Sequence, residues 1–210
     1  MTDPTVLYRQ RRAEVTRTEI LKRAVDIASA EGLEGLSIGR LAAELSMSKT
    51  GIFAHFGSKE DLQAATIDAA KDVFVKEVVG LALTVPPGLE RLSALLHAWL
   101  SYVERSVFRG GCFFAAASAE FDSRPGRIRD KVAELTRAWV VGLEDAVREA
   151  QALGQLAAKV DPRQLVFELH AYVQEANWAF KLFDDAAAFA RARAAIARRL
   201  AAEQNTDLER

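Results

Sequence analysis

Leu41 to Leu62 reads LAAELSMSKTGIFAHFGSKEDL, and it is the part of the chain that says most about the fold. Ile38, Leu41, Ala42 and Leu45 recur at three- and four-residue spacing, as on one face of a short helix that begins at Ser37. Ser46-Met47-Ser48 interrupts that face. Lys49 to His55 then forms a second short helix with Ile52, Phe53 and Phe56 on its apolar side. Gly57 closes it, and Ser58-Lys59-Glu60-Asp61 before Leu62 has the form of a helix start. Upstream, Ile20, Leu21, Ala24, Val25, Ile27 and Ala28 make one apolar face of a helix from about Thr16 to Glu31, ended by Gly32. Three short helices joined by tight turns form a helix-turn-helix unit. The first helix and the 37–45 helix make a platform. The helix of 48–55 lays Ile52 and Phe56 on that platform and turns Lys49, Thr50, Gly51, Ala54 and His55 outward, toward a major groove that admits one helix.

The rest of the chain continues in the same manner. From 58 a fourth helix runs to about Leu83 and stops at Pro86-Pro87. Further helices are expected over 88–105, 111–121, 126–153, 162–183 and 186–203, separated by Gly110-Gly111, Pro125-Gly126, Gly154 and Asp161-Pro162. The 210 residues include 38 alanines and 23 leucines against 12 glycines and five prolines, a mix that favours helix nearly everywhere. No alternating β-branched run bounded by turns is visible, so the expected fold class is all-α, with about nine helices and no sheet.

Charge and cysteine usage narrow the function classes. The net charge of −1 argues against a nucleic-acid binder with a uniformly basic surface. The balance is uneven, however. Residues 1–24 carry +3 and the remainder −4, so the basic excess sits at the N-terminus. A single cysteine, Cys112, excludes an intrachain disulfide and a Cys-rich zinc site and fits a reducing cytoplasm. His55, His97, His170 and Cys112 are too dispersed for a metal site, and no cofactor is expected. No secretory h-region opens the chain, and the apolar runs are far too short to span a membrane. An all-helical enzyme using Cys112 with His97 or His170 finds no nucleophile–base motif in its support.

The stretch quoted above, and most of all His55-Phe56-Gly57-Ser58-Lys59-Glu60-Asp61-Leu62, resembles the helix-turn-helix of TetR-family transcriptional regulators. The resemblance rests on motifs over roughly 14–62 and, beyond them, on size and helix count. It implies a DNA-binding domain over 1–57 with a basic N-terminal arm, and a helical ligand-binding and dimerisation domain over 58–210. Ser37 and Lys59, at helix starts, would bind phosphates, because free N–H groups and the helix dipole favour an anion there. Lys49, Thr50 and His55 would face the groove, and Ser48, Gly51 and Phe53 complete the candidate DNA-binding set. Arg9, Arg11 and Arg12 would follow the duplex as a disordered arm. Two positions depart from the family pattern. Ser46 stands where a turn glycine is usual, and Phe53 stands where a phosphate-binding tyrosine is usual. The implied partners are a double-stranded, near-palindromic DNA operator, a small-molecule effector of apolar or aromatic character, and a second copy joined through the last two helices. The implied activity is that of a cytoplasmic, ligand-released repressor. The alternative is a helical small-molecule-binding or scaffold protein that has lost DNA binding.

Of the 17 aromatic residues only Tyr8, Phe53 and Phe56 precede residue 74. Trp99, Tyr102, Phe113, Phe114, Trp139, His170, Gln174 and Trp178 are the candidate effector-binding set, since such pockets are aromatic-walled with few polar groups. On the 162–183 helix, His170, Gln174, Asn177 and Lys181 fall on one stripe, which could be a pocket wall, a dimer seam or an exposed face. Cys112 reads as a buried small hydrophobe, and His97 as a core or pocket-edge histidine.

Overall fold

The computed structural model describes residues 4–204; the side chains of residues 4–6, 9 and 10 lie outside that description. The described residues form nine helices, and their one β-type pairing is an isolated bridge between Leu156 and Gln204. The helices are α1 (Pro4–Glu31), α2 (Ile38–Glu44), α3 (Lys49–Phe56), α4, α5 (Leu89–Glu104), α6 (Phe113–Phe121), α7 (Arg127–Ala152), α8 (Pro162–Phe183) and α9 (Ala187–Ala201). Helix α4 is continuous through three segments: α-helical Lys59–Phe74, a π turn at Val75–Val79, and a last helical turn at Gly80–Ala82. Phe74 and Val79, at the joints, keep right-handed helical dihedrals.

Local chemistry explains most of the boundaries. Asp161 caps α8 by accepting the Arg163 N–H at 2.9 Å, with Pro162 in the first turn, and Asp184 ends the helix in the left-handed region at φ 54°. The start of α1 corrects the expected disordered arm. The backbone is helical from Pro4, so Arg11 and Arg12 sit on the first turns of a 28-residue helix; the Arg9 side chain lies outside the described residues. The reason is local, because no glycine or further proline interrupts the run to Glu31 and Pro4 suits a first helical turn.

Two compact units emerge from the packing. The first holds the chain up to Lys71 together with Phe108–Val132; the second holds Asp72–Val107 and the chain from Ala133 onward. Ile20, Ile27, Leu33, Leu36, Leu41, Ile52, Leu62 and Ile67 are fully or almost fully buried in the first. In the second, Leu92, Tyr102, Leu165, Phe189 and Ile196 are equally enclosed. Among the described residues no helix is long and apolar enough to cross a membrane.

Candidate DNA interface and aromatic cluster

The turn between α2 and α3 is built by hydrogen bonds. The Met47 N–H donates to Ala42 O at 3.0 Å and the Ser46 N–H to Ala43 O at 3.4 Å, the two-bond Schellman closure of a helix end. That closure needs a left-handed residue, and Ser46 supplies it at φ 52°. Ser37 caps α2 by accepting the Arg40 N–H at 3.1 Å, and Ser48 caps α3 by accepting the Gly51 N–H at 3.0 Å. Both candidate serines are therefore engaged as helix caps.

Helix α3 presents the expected faces with one change. Ile52 and Phe56 are buried, whereas Phe53 is 53% exposed and stands outside the apolar side to which its spacing assigned it. Lys49 and Thr50 are exposed; Gly51 and His55 are half-buried. The Lys49 stem runs across Gly39 of α2, its Cε 3.4 Å from where a Cβ on that glycine would lie. The Arg17 guanidinium stacks over Phe56 at 4.5 Å from the ring centre, a contact that its place on α1 did not announce.

Much of the basic charge nearby is already paired. Arg23 bonds Glu44 and Asp26, and Arg40 bonds Glu44 and Glu31. The Arg23 and Arg40 guanidiniums hold the Glu44 carboxyl below the usual range, and Arg40 does the same for Glu31. Lys59, a candidate phosphate ligand, donates to both the backbone and the carboxylate oxygen of Glu34 at 2.8 Å. That ammonium lowers the Glu34 pKa. Ser58 and Arg127 hold Asp61 down in the same way.

The segment around α6 is fastened to the end of α1 through contacts between residues far apart in sequence. The Glu120 carboxylate accepts the N–H groups of Leu33 and Glu34 at 2.7 and 2.8 Å. Arg109 pairs with Asp26, and Gly110 lies so close to α1 that a Cβ there would sit 1.5 Å from Ser29 O. Cys112, just before α6, is buried.

In the second unit, Trp99, Tyr102, Trp139 and His170 come together around a residue the sequence reading missed, Phe74. Phe74 meets Tyr102 at 5.5 Å and Trp139 at 5.0 Å, both edge to face. Trp99 meets Trp139 at 5.4 Å and His170 at 5.0 Å. Burial pushes the His170 pKa down, favouring the neutral ring. Gln174 lies one turn along α8 from His170. The other candidates lie elsewhere. Phe113 and Phe114 belong to the first unit, where Phe113 packs on Phe108 at 6.2 Å. Trp178 is half-exposed and stacks edge-on with Phe183 at 4.8 Å. His170, Gln174 and Asn177 of the polar stripe are half-buried and Lys181 is exposed. On α8, Glu168 pairs with Arg199 of α9, while Phe167, Trp178, Leu182 and Phe183 are exposed.

The family model of bacterial regulatory proteins, tetR family, matches residues 20–66, and that of the tetracyclin repressor-like C-terminal domain matches residues 88–196. The chain belongs to the TetR family. A TetR-family chain is a DNA-binding transcription regulator and not an enzyme. This one is 27% identical over 173 residues to the HTH-type transcriptional repressor SCO4008 of Streptomyces coelicolor, a match that covers 79% of each protein. A TetR transcriptional regulator from Chloroflexus aurantiacus shares the fold with a TM-score of 0.86 at 23% identity, over 92% of this chain and 98% of that one. A transcriptional regulator from Saccharomonospora viridis, solved in complex with choline, has a TM-score of 0.77 at 20% identity, over 91% of this chain and 98% of its own.

Proposed function

We propose that this TetR-family regulator is a homodimeric repressor that leaves a near-palindromic operator when a small molecule binds its C-terminal body. Residues 1–57 would read DNA, and 58–210 would hold the effector and the second copy. The observation that carries the reading is the orientation of α3. Ile52 and Phe56 face inward, while Lys49, Thr50, Phe53 and His55 are left at least partly accessible beside two capped helix starts. Lys49 can donate to guanine O6 and N7, and Thr50 can meet a base edge or a thymine methyl. Phe53 has no hydroxyl for a phosphate but can pack on sugar or a methyl group. The repressor sense is supported by the name of the S. coelicolor relative, and a small-molecule effector by the choline complex of the S. viridis protein. The exposed apolar residues of α8 support pairing through the last two helices. As a regulator acting on DNA, the protein would work in the cytoplasm.

The test is selection of bound fragments from genomic DNA. The expected result is a near-palindromic site whose half-sites lie one helical turn apart, roughly 34–36 Å. A second reading, a small-molecule-binding protein that no longer binds DNA, is favoured by the absent Phe53 hydroxyl and by the Lys59–Glu34 pair. Selection that retains no duplex even at low salt would establish it.

A further inference from the structure

The aromatic cluster in the second unit contains buried polar atoms that the protein itself does not satisfy. Trp99 is 2% exposed, and its indole N–H finds no acceptor. The indole N–H of Trp139, whose ring lies 5.4 Å away, is likewise buried and unpartnered. Thr136 sits one turn before Trp139 on α7, and its hydroxyl is buried without a partner. Gln174, one turn beyond His170 on α8, has its side-chain carbonyl oxygen in the same condition. A buried donor without an acceptor costs about as much as a lost hydrogen bond, and native proteins keep few of them. Here two indole donors occur in ring pairs that touch one another, with a hydroxyl and an amide on the adjoining helix turns.

From this arrangement we infer that the effector is a neutral aromatic molecule bearing oxygen acceptors, a ketone or phenol rather than an ammonium ion, held through the Trp99 and Trp139 indole N–H groups. The inference rests on reading the C-terminal body as the effector-binding part. Indole N–H groups donate only, so their natural complement is a carbonyl, ether or phenol oxygen. Thr136 and Gln174 can both donate and accept, which suits a ligand hydroxyl as well. His170, desolvated against Trp99, contributes a neutral ring. A cation would instead need ring faces. In each edge-to-face pair of this cluster, one ring's negative face already receives its neighbour's positive edge.

Three probes of similar size separate the possibilities. These are 9-fluorenone, which has one carbonyl; fluorene, which has the frame without an acceptor; and N-methylacridinium, which has a fixed positive charge. Binding to the full-length protein is measured by calorimetry, and the indole N–H resonances of 15N-tryptophan-labelled protein are followed in parallel. The expected result is 9-fluorenone binding about tenfold or more tightly than fluorene or N-methylacridinium. Two of the three indole resonances should move on addition. In Trp99→Phe and Trp139→Phe, which retain an aromatic ring, the fluorenone-to-fluorene ratio should fall toward one. The resonance shifts keep the test open if either variant folds poorly. The inference is overturned if fluorene binds as tightly as 9-fluorenone, as it would were water alone serving the indoles. It is equally overturned if N-methylacridinium binds best, if none of the three binds, or if the ratio survives both substitutions. Retention of genomic DNA by the parent protein is scored separately. Loss of that retention removes the repressor reading, whatever the probe ratio shows.

Discussion

Ser46 occupies the left-handed position of a two-bond helix closure, where a side chain is a liability. The conformation costs a non-glycine residue of order 1 kcal/mol. Ser46→Gly should therefore raise the urea midpoint slightly, with a net gain of up to about 0.5 kcal/mol once glycine's extra chain entropy, about 0.5–1 kcal/mol, is counted. Lys49 and Lys59 should separate by function. Lys49→Ala is expected to relax sequence preference, because its side chain lies on the outer face of α3. Lys59→Ala is expected to weaken binding to all sequences alike and to lower the salt slope by about one, as loss of a phosphate contact does. Filter binding of the selected operator and of scrambled duplexes, across a salt series, reads both. Equal behaviour of both variants and the parent would remove these residues from the interface. The Ser46 turn and the burial of Ile52 and Phe56 were legible in the sequence because each depends on neighbours within a few residues. The Glu34 partner of Lys59 was not, since it stands 25 positions away and leaves no periodic trace.

The element scale shows the same boundary between what is local and what is not. The bounds of α8 match the sequence reading, because Asp161, Pro162 and the long amphipathic run are all local signals. The π turn at Val75–Val79 in α4 has no such signal, because no glycine or proline marks the run Val75-Lys76-Glu77-Val78-Val79. Phe74, which opens that turn and centres the aromatic cluster, was missed for the same reason. The fastening of α6 to α1 was also invisible. It depends on a glycine whose absent Cβ, and a glutamate whose two oxygens, matter only after residues more than eighty positions apart have met. Gly110→Ala tests it directly. Backbone atoms of Ser29 cannot yield to a Cβ 1.5 Å away, so the segment must shift and forfeit the contacts around it. A destabilisation of more than about 2 kcal/mol is expected, in the range of core overpacking. Urea unfolding should report it, and a loss below about 0.5 kcal/mol would show that this close approach is dispensable.

At the scale of the whole molecule, stability should fall with acid in two windows. Burial lowers the His170 pKa from 6.5, so below that pH the unfolded chain takes a proton that the folded one resists. Stability should therefore decline as pH falls from 6.5 toward the lowered value, and His170→Gln should flatten that part of the curve. The paired carboxylates Glu31, Glu34, Glu44 and Glu168 have pKa values below their ordinary 4.5. Their contribution is present above 4.5 and is lost as pH passes down through the lowered values, so His170→Gln should leave this second decline in place. Urea midpoints taken across pH separate the two. Assembly also belongs to this scale. Phe167, Trp178, Leu182 and Phe183 are 71, 51, 58 and 62% exposed on one helix, a concentration of apolar surface that a second copy would cover. Trp178→Glu combined with Phe183→Glu would set unpaired carboxylates in that contact, where desolvation is costly. Sedimentation should then show about 23.0 kDa in place of twice that mass, with helical content unchanged. DNA binding should fall with it. Two joined reading heads hold a two-half-site operator far more tightly than one, by about 10²–10⁴ in affinity, so the variant should lose about that factor on the full operator. On an isolated half-site it should match the parent. A variant that remained dimeric would place the contact elsewhere than α8. One that became monomeric yet held the full operator as tightly would show that the chain reads DNA as a single copy.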